Sequence, residues 1–287
     1  MTFHHRLIFI DNEANKSYLS LKNGDPTMNS SIEEVASSPP KRYFNFLDEV
    51  LLGVEFKEEV ESKEELVNAL HQHLKDIFPN KQPGIHNVLE TNVISPERIE
   101  QRQRTLVLPN FRDDGVTKQL FFPAPKLLTI RQLKYTSFDE FYKILKQAIN
   151  AFEQVYVSNT VVKRVGLRYI NRIELSGDAL DWKNLIKSEL ISLLKFPREK
   201  NEIARAMNLL ELTREGYNIR FQSGLFNRDY PHPVVKREFI LDYDCYSTEE
   251  CEIKEVLARA DKYHTEIKSL FLNDSILTAL KRRLGEV

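Results

Sequence analysis

Between Val161 and Leu175 the chain alternates. Val165, Leu167, Tyr169, Ile173 and Leu175 fall on one side of an extended strand. Arg164, Arg168 and Arg172 fall on the other, with Gly166, Ile170 and Glu174 between them. Successive strand side chains point to opposite faces, so this pattern predicts a strand with one buried face. The arginines would span roughly 26 Å at ~3.3 Å per residue. A guanidinium keeps its charge at neutral pH, so that face is permanently cationic unless carboxylates meet it. A second alternating run, Val234 to Tyr246, sets Glu238, Asp242 and Asp244 on one face and Val235, Phe239, Leu241 and Tyr243 on the other.

Helical spacing appears elsewhere. Leu66, Ala69, Leu70, Leu74 and Ile77 form a stripe that ends before Pro79, and Ser62 with Glu65 has the spacing of a capping box. Ser137 and Glu140 open a longer helix with Phe138, Phe141, Tyr142, Leu145, Ala148, Ile149, Phe152 and Val155 on one stripe. Further helices are predicted over Asp181 to Phe196, stopped by Pro197, and from about Glu249 to Leu270. Strands are predicted over Glu49 to Phe56, Val88 to Ile94, Arg98 to Leu108, Lys118 to Phe122, Lys126 to Tyr135, Ala206 to Thr213 and Tyr217 to Ser223, with Asp113-Asp114-Gly115 as a turn.

Strand, helix, several strands and a long helix thus occur twice. The expected fold is α+β, with two related β-α-β-β-β-α halves at 41–160 and 161–287. Mostly antiparallel sheet with helices packed on one face follows from that order. Residues 1–40 read as a flexible N-terminal extension, because NGDPTMNSSIEEVASSPPK is rich in Ser, Asn, Pro and acid. Met28 inside it is a candidate native start.

Composition narrows the function classes. The chain has 287 residues, with 41 basic and 42 acidic side chains and a formal net charge of −1. That balance argues against nucleic-acid binding through a global positive field and leaves only a local basic surface. Two cysteines, Cys245 and Cys251, six apart, give neither a disulfide framework nor zinc spacing and point to a reducing cytoplasm. No run of ~18 apolar residues predicts a membrane span.

The string V-x-R-x-G-L-R-Y-I-N-R-I-E-L, from Val162 to Leu175, resembles the signature core of an uncharacterised, sporadically distributed family of bacterial proteins. The resemblance extends over about Pro39 to Leu284. It implies a helix before the G-L-R-Y-I-N strand, a late Asp-rich strand and a terminal helix on which His264, Ile267 and Phe271 fit an L-x-x-x-H-x-x-I-x-x-x-F-like pattern. No activity is established for that family, so the resemblance carries over no catalytic residue. Its patchy distribution is associated with defence or toxin–antitoxin-like loci.

Site chemistry is weighed on this frame. The arginine row either meets acidic neighbours as cross-strand pairs or recognises an anionic ligand or partner. Arg102 and Arg104, with Arg98, form a second basic group that would extend the row if its strand lay alongside. His264 sits on or near an apolar stripe, as a core residue or as a ligand contact. Glu238, Asp242 and Asp244 are the donors a metal-dependent hydrolase or nuclease would use. Walker, dinucleotide and nucleophile-elbow motifs are missing and glycine occurs only nine times, so no cofactor is expected. The leading expectation is a cytoplasmic, non-enzymatic binding or interaction module. Its ligand-binding residues would be Arg164, Arg168, Arg172, Arg102, Arg104 and His264, and its partner an anionic small molecule or another protein. The alternatives are the metal-dependent enzyme and a nucleic-acid-binding protein.

Overall fold

The computed structural model describes residues 46–95, 98–157 and 161–284, with side chains described except at 85–106 and 200. The expected extension over 1–40, including Met28, lies outside the described residues. Among the described residues ten strands join in one antiparallel sheet: β1 (Leu47–Phe56), β2 (Asn80–Ser95), β3 (Arg98–Arg112), β4 (Lys118–Ala124), β5 (Leu127–Gln132), β6 (Val161–Leu175), β7 (Ala206–Arg214), β8 (Tyr217–Leu225), β9 (Arg237–Ser247) and the short β10 (Cys251–Glu252). The order is β2-β3-β4-β5-β1-β6-β9-β8-β7, with β10 beside β6. From the central pair β1–β6, each half of the sequence therefore lays its strands outward to one edge. The two expected halves share one sheet within a single compact unit, Lys41–Val287.

Helices α1 (Glu64–Leu74), α2 (Phe138–Val155) and α3 (Val256–Ser269) pack on one face, and α4 (Thr278–Arg283) follows. The core forms where their stripes meet the inward positions of the sheet. Leu70 and Leu74 of α1, Phe141, Leu145 and Phe152 of α2, and Ala260, Tyr263 and Ile267 of α3 cover Val50, Leu52, Val54 and Phe56 of β1 and Val165, Leu167 and Tyr169 of β6. Burial of each large apolar side chain contributes roughly 1.5–3 kcal/mol.

Three local expectations meet the structure differently. The Ser62 box does not form; Lys63 holds the N-cap position of α1 without a side-chain bond. Ser137 does cap α2, accepting from the Glu140 N–H at 3.3 Å. No α-helix forms over Asp181 to Phe196, where only the 3-10 turn Ser192–Lys195 appears. The reason is competition for backbone groups. Lys187 N–H donates to the Ser275 carbonyl, Leu277 N–H donates to the Leu185 carbonyl, and Ile186 bridges Ile276. Groups spent on the C-terminal segment cannot close i to i−4 rings. The apolar stripe is still used, since Trp182, Ile186 and Leu194 are buried, with Trp182 against Phe239.

Candidate interaction face

The sheet's second face carries no helix among the described residues, and the arginine row lies on it. β6 and β9 pair in an unbroken register from Val165–Ser247 to Leu175–Arg237. Paired residues share a face, so the outward arginines of β6 lie beside the outward acids of β9. Asp244 stands directly opposite Arg168, and Asp242 opposite Ile170. Arg168 leans diagonally and donates from Nε and Nη2 to the two oxygens of Asp242, at 2.8 and 2.6 Å. Such a fork is the strongest form of this contact. Arg172 lies 3.0 Å from Asp48 and 3.4 Å from Glu238.

Arg164 reaches farther. Its Nη2 donates to Asp244 at 3.1 Å, and its guanidinium lies over the Tyr246 ring, 4.4 Å from the centroid. Gly166 permits this path, because a Cβ there would stand 2.9 Å from Arg164 Nη1. The glycine of the G-L-R-Y-I-N string therefore clears a lane for a neighbouring side chain.

The charged rows continue sideways. On β1, Glu49 lies 3.5 Å from Arg131 of β5, whose Nη2 donates to Gln119 of β4 at 2.5 Å. Arg220 of β8 lies 3.9 Å from Glu211 of β7. Burial pushes the Glu49 carboxyl above its usual range while Arg131 and Arg168 pull it back. Asp244 is likewise raised by burial, against the pull of Arg164 and Arg168. Hydrogen bonds to the Asp242 carboxylate hold the Arg168 guanidinium still more firmly protonated. The face is a lattice of both signs in which each guanidinium of the row meets a carboxylate. The arginine side chains keep 17–35% of their surface exposed.

The other expected site residues fall elsewhere. Arg102 and Arg104 stand on β3 opposite Glu90 and Val88 of β2. Strands β4, β5 and β1 separate them from β6, so the two basic groups do not join. Their side chains lie outside the described set. His264 is on α3, under the helix-covered face, and is not brought to the arginines. The Tyr169 hydroxyl lies 2.8 Å from His264 Nδ1, and the Tyr135 hydroxyl 3.4 Å from that of Tyr169. The imidazole stacks on Phe138 with centroids 3.8 Å apart. Burial, helped by the Lys268 charge, lowers His264 to about 4, so the ring is neutral at pH 7.

The acids do not assemble as a metal centre. Asp242, Asp244 and Glu238 each face an arginine where a cation would sit, and no group of three or more His, Cys, Asp or Glu is placed to hold a metal among the described residues. Sequence reasoning missed Asp48, Glu49, Arg131 and Tyr246. Glu49 and Tyr246 were readable from strand alternation. Asp48 was not, because it sits at a register shift between Leu47 and Glu49.

No family model and no curated protein matches the chain. Solved structures that it resembles include crystal form III of TP0453, with 11% identity over 80% of this chain and 100% of that one and a TM-score of 0.12. Crystal form I of TP0453 gives 11% identity over 79% and 98%, with a TM-score of 0.13. Likeness at that level carries neither fold nor function to this chain.

Proposed function

We propose that this chain is a non-enzymatic interaction module that binds a protein partner on the helix-free face of its sheet. One observation carries the reading: alternating rows of paired, partly exposed charges run along β1, β6 and β9. A partner surface bearing both signs can match these rows without leaving a charge unpaired. A small anion must instead displace carboxylates, including the two-pronged Asp242, from arginines they already hold. Nucleic-acid binding on this face is weaker for the same reason, since Arg164, Arg168 and Arg172 already meet carboxylates and would release fewer counterions. The two-half organisation is part of this proposal, as are a bacterial cytoplasmic setting and a defence or toxin–antitoxin-like locus. The locus rests on the family resemblance alone. In support of the setting, both cysteines are free and buried.

Site-specific photo-crosslinking in the native host tests the reading. A benzophenone side chain at Ile170, between Arg168 and Arg172, should give one discrete protein adduct. The same group at Glu153, an exposed position on α2, should not. The adduct should vanish in the Arg168→Ala/Arg172→Ala pair. Identical patterns from the two positions would reject the face as the binding surface.

A further inference from the structure

The two ends of the sheet are built differently. β2, at one end, contains Lys81 and Pro83 and a register shift near its tip, devices that discourage strand addition. β7, at the other, is nine residues long and has neither lysine nor proline. It pairs with β8 from Ala206–Leu225 to Arg214–Tyr217 without a shift. Among the described residues no strand lies on its second side. Glu215 and Gly216 make a two-residue turn, so Arg214 and Tyr217 close a hydrogen-bonded pair, and bonded pairs alternate from there. Met207, Leu209, Glu211 and Thr213 consequently turn their backbone N–H and C=O groups to the free side. Leu209 is 57% exposed and Leu210 47%. Leu193 and Phe196, at the turn that packs against β7, are exposed as well, Phe196 at 90%.

We propose that β7 pairs with β7 of a second copy, antiparallel about a two-fold axis through Leu210. Such an isologous contact would make one sheet continuous across two chains. The register is selected by the sequence. Centred on Leu210, it pairs every residue of β7, with Ala206 opposite the partner's Arg214. It sets outward groups against outward groups, Met207 with the partner's Thr213 and Leu209 with the partner's Glu211, so both ladders close. Leu210 meets the partner's Leu210. Just beyond the strand, Arg205 comes opposite the partner's Glu215, an attraction repeated on both sides of the axis. The next permitted register in one direction sets Glu211 against the partner's Glu211. The next in the other direction takes Arg205 off Glu215.

Sedimentation velocity of the full chain, from about 1 to 100 µM where mass action populates a specific dimer, tests this pairing. The expected species has twice the 33.6 kDa of one chain. Leu209→Pro removes an N–H that faces the free side and not β8. Leu210→Lys sets two ammonium groups on the axis. Each variant should sediment as a monomer while keeping the wild-type circular dichroism and, at concentrations where wild type is itself monomeric, the wild-type melting curve. If one fails to fold, the other is sufficient by itself. Wild type that stays monomeric at every concentration, or a dimer that a folded variant retains, would overturn the proposal.

Discussion

The two faces of β6 hold the same backbone and do opposite work. On the covered face Val165, Leu167 and Ile173 are fully buried under the helices. On the helix-free face Arg164, Arg168 and Arg172 remain partly wet and are held by carboxylates from β9 and β1. The covered face supplies most of the strand's contribution to stability, because apolar burial scales with area removed from water. Partly exposed ion pairs supply less, because solvent screens them and two charges lose hydration together. What the charged face gains is fixed geometry: each arginine has a defined direction.

That contrast can be broken from the covered side first. Leu167→Ala should cost about 3 kcal/mol of folding free energy through lost burial and a cavity, read as a lower urea midpoint at unchanged slope. A negligible shift would mean that the helices do not press on β6. On the other face, Asp242→Ala should cost roughly 2 kcal/mol, because it takes away the two-pronged partner of the Arg168 guanidinium and leaves it only the charges of Asp244 and Glu49. The Arg168→Ala/Asp242→Ala double variant should lose less than the sum of its parts. Strict additivity in a double-mutant cycle would dissolve the pair.

The smallest effect sharpens the comparison by pH. His264 is neutral in the fold and lowered to about 4 from 6.5, first by burial and then by Lys268, with Asp261 and Asp139 opposing. A depressed folded value means that its stabilisation is present above pH 6.5 and is lost as pH falls toward 4. After allowance for the ring's partial exposure, the loss is roughly 1–2 kcal/mol by pH 4. The stability gap between wild type and His264→Gln should therefore narrow between pH 7 and 4. A constant gap across thermal melts would remove the histidine from the acid response.

Much of the sheet was legible in the sequence because alternation survives in strands with one covered face. β6 follows its expected facing residue by residue, and β9 does so from Phe239 onward, whereas Val235, expected on the covered face, precedes the strand and is 73% exposed. The segment from Asp181 to Phe196 misled because its apolar spacing fits a helix, while its backbone partners lie some ninety residues along the chain, from Ser275 to Leu277. Periodicity reports which side chains are buried and is silent about where the peptide groups bond. The arginine row was visible, but its neutralisation depended on strand order. Acids of β9 and Asp48 of β1 reach it only because the sheet places those strands on either side of β6. Arg102 and Arg104 looked equivalent in composition and went to a different part of the sheet.

The central seam between β1 and β6 has a consequence for synthesis on the ribosome. β1 ends at Phe56 and β6 begins at Val161. At ~5–20 residues per second, translation takes roughly 5 to 20 seconds to deliver the missing strand. Throughout that interval the nascent first half presents an open, Leu- and Val-rich strand at what will become the middle of the molecule. Chaperone demand during elongation should therefore be concentrated there, and should end when residue 175 clears the exit tunnel.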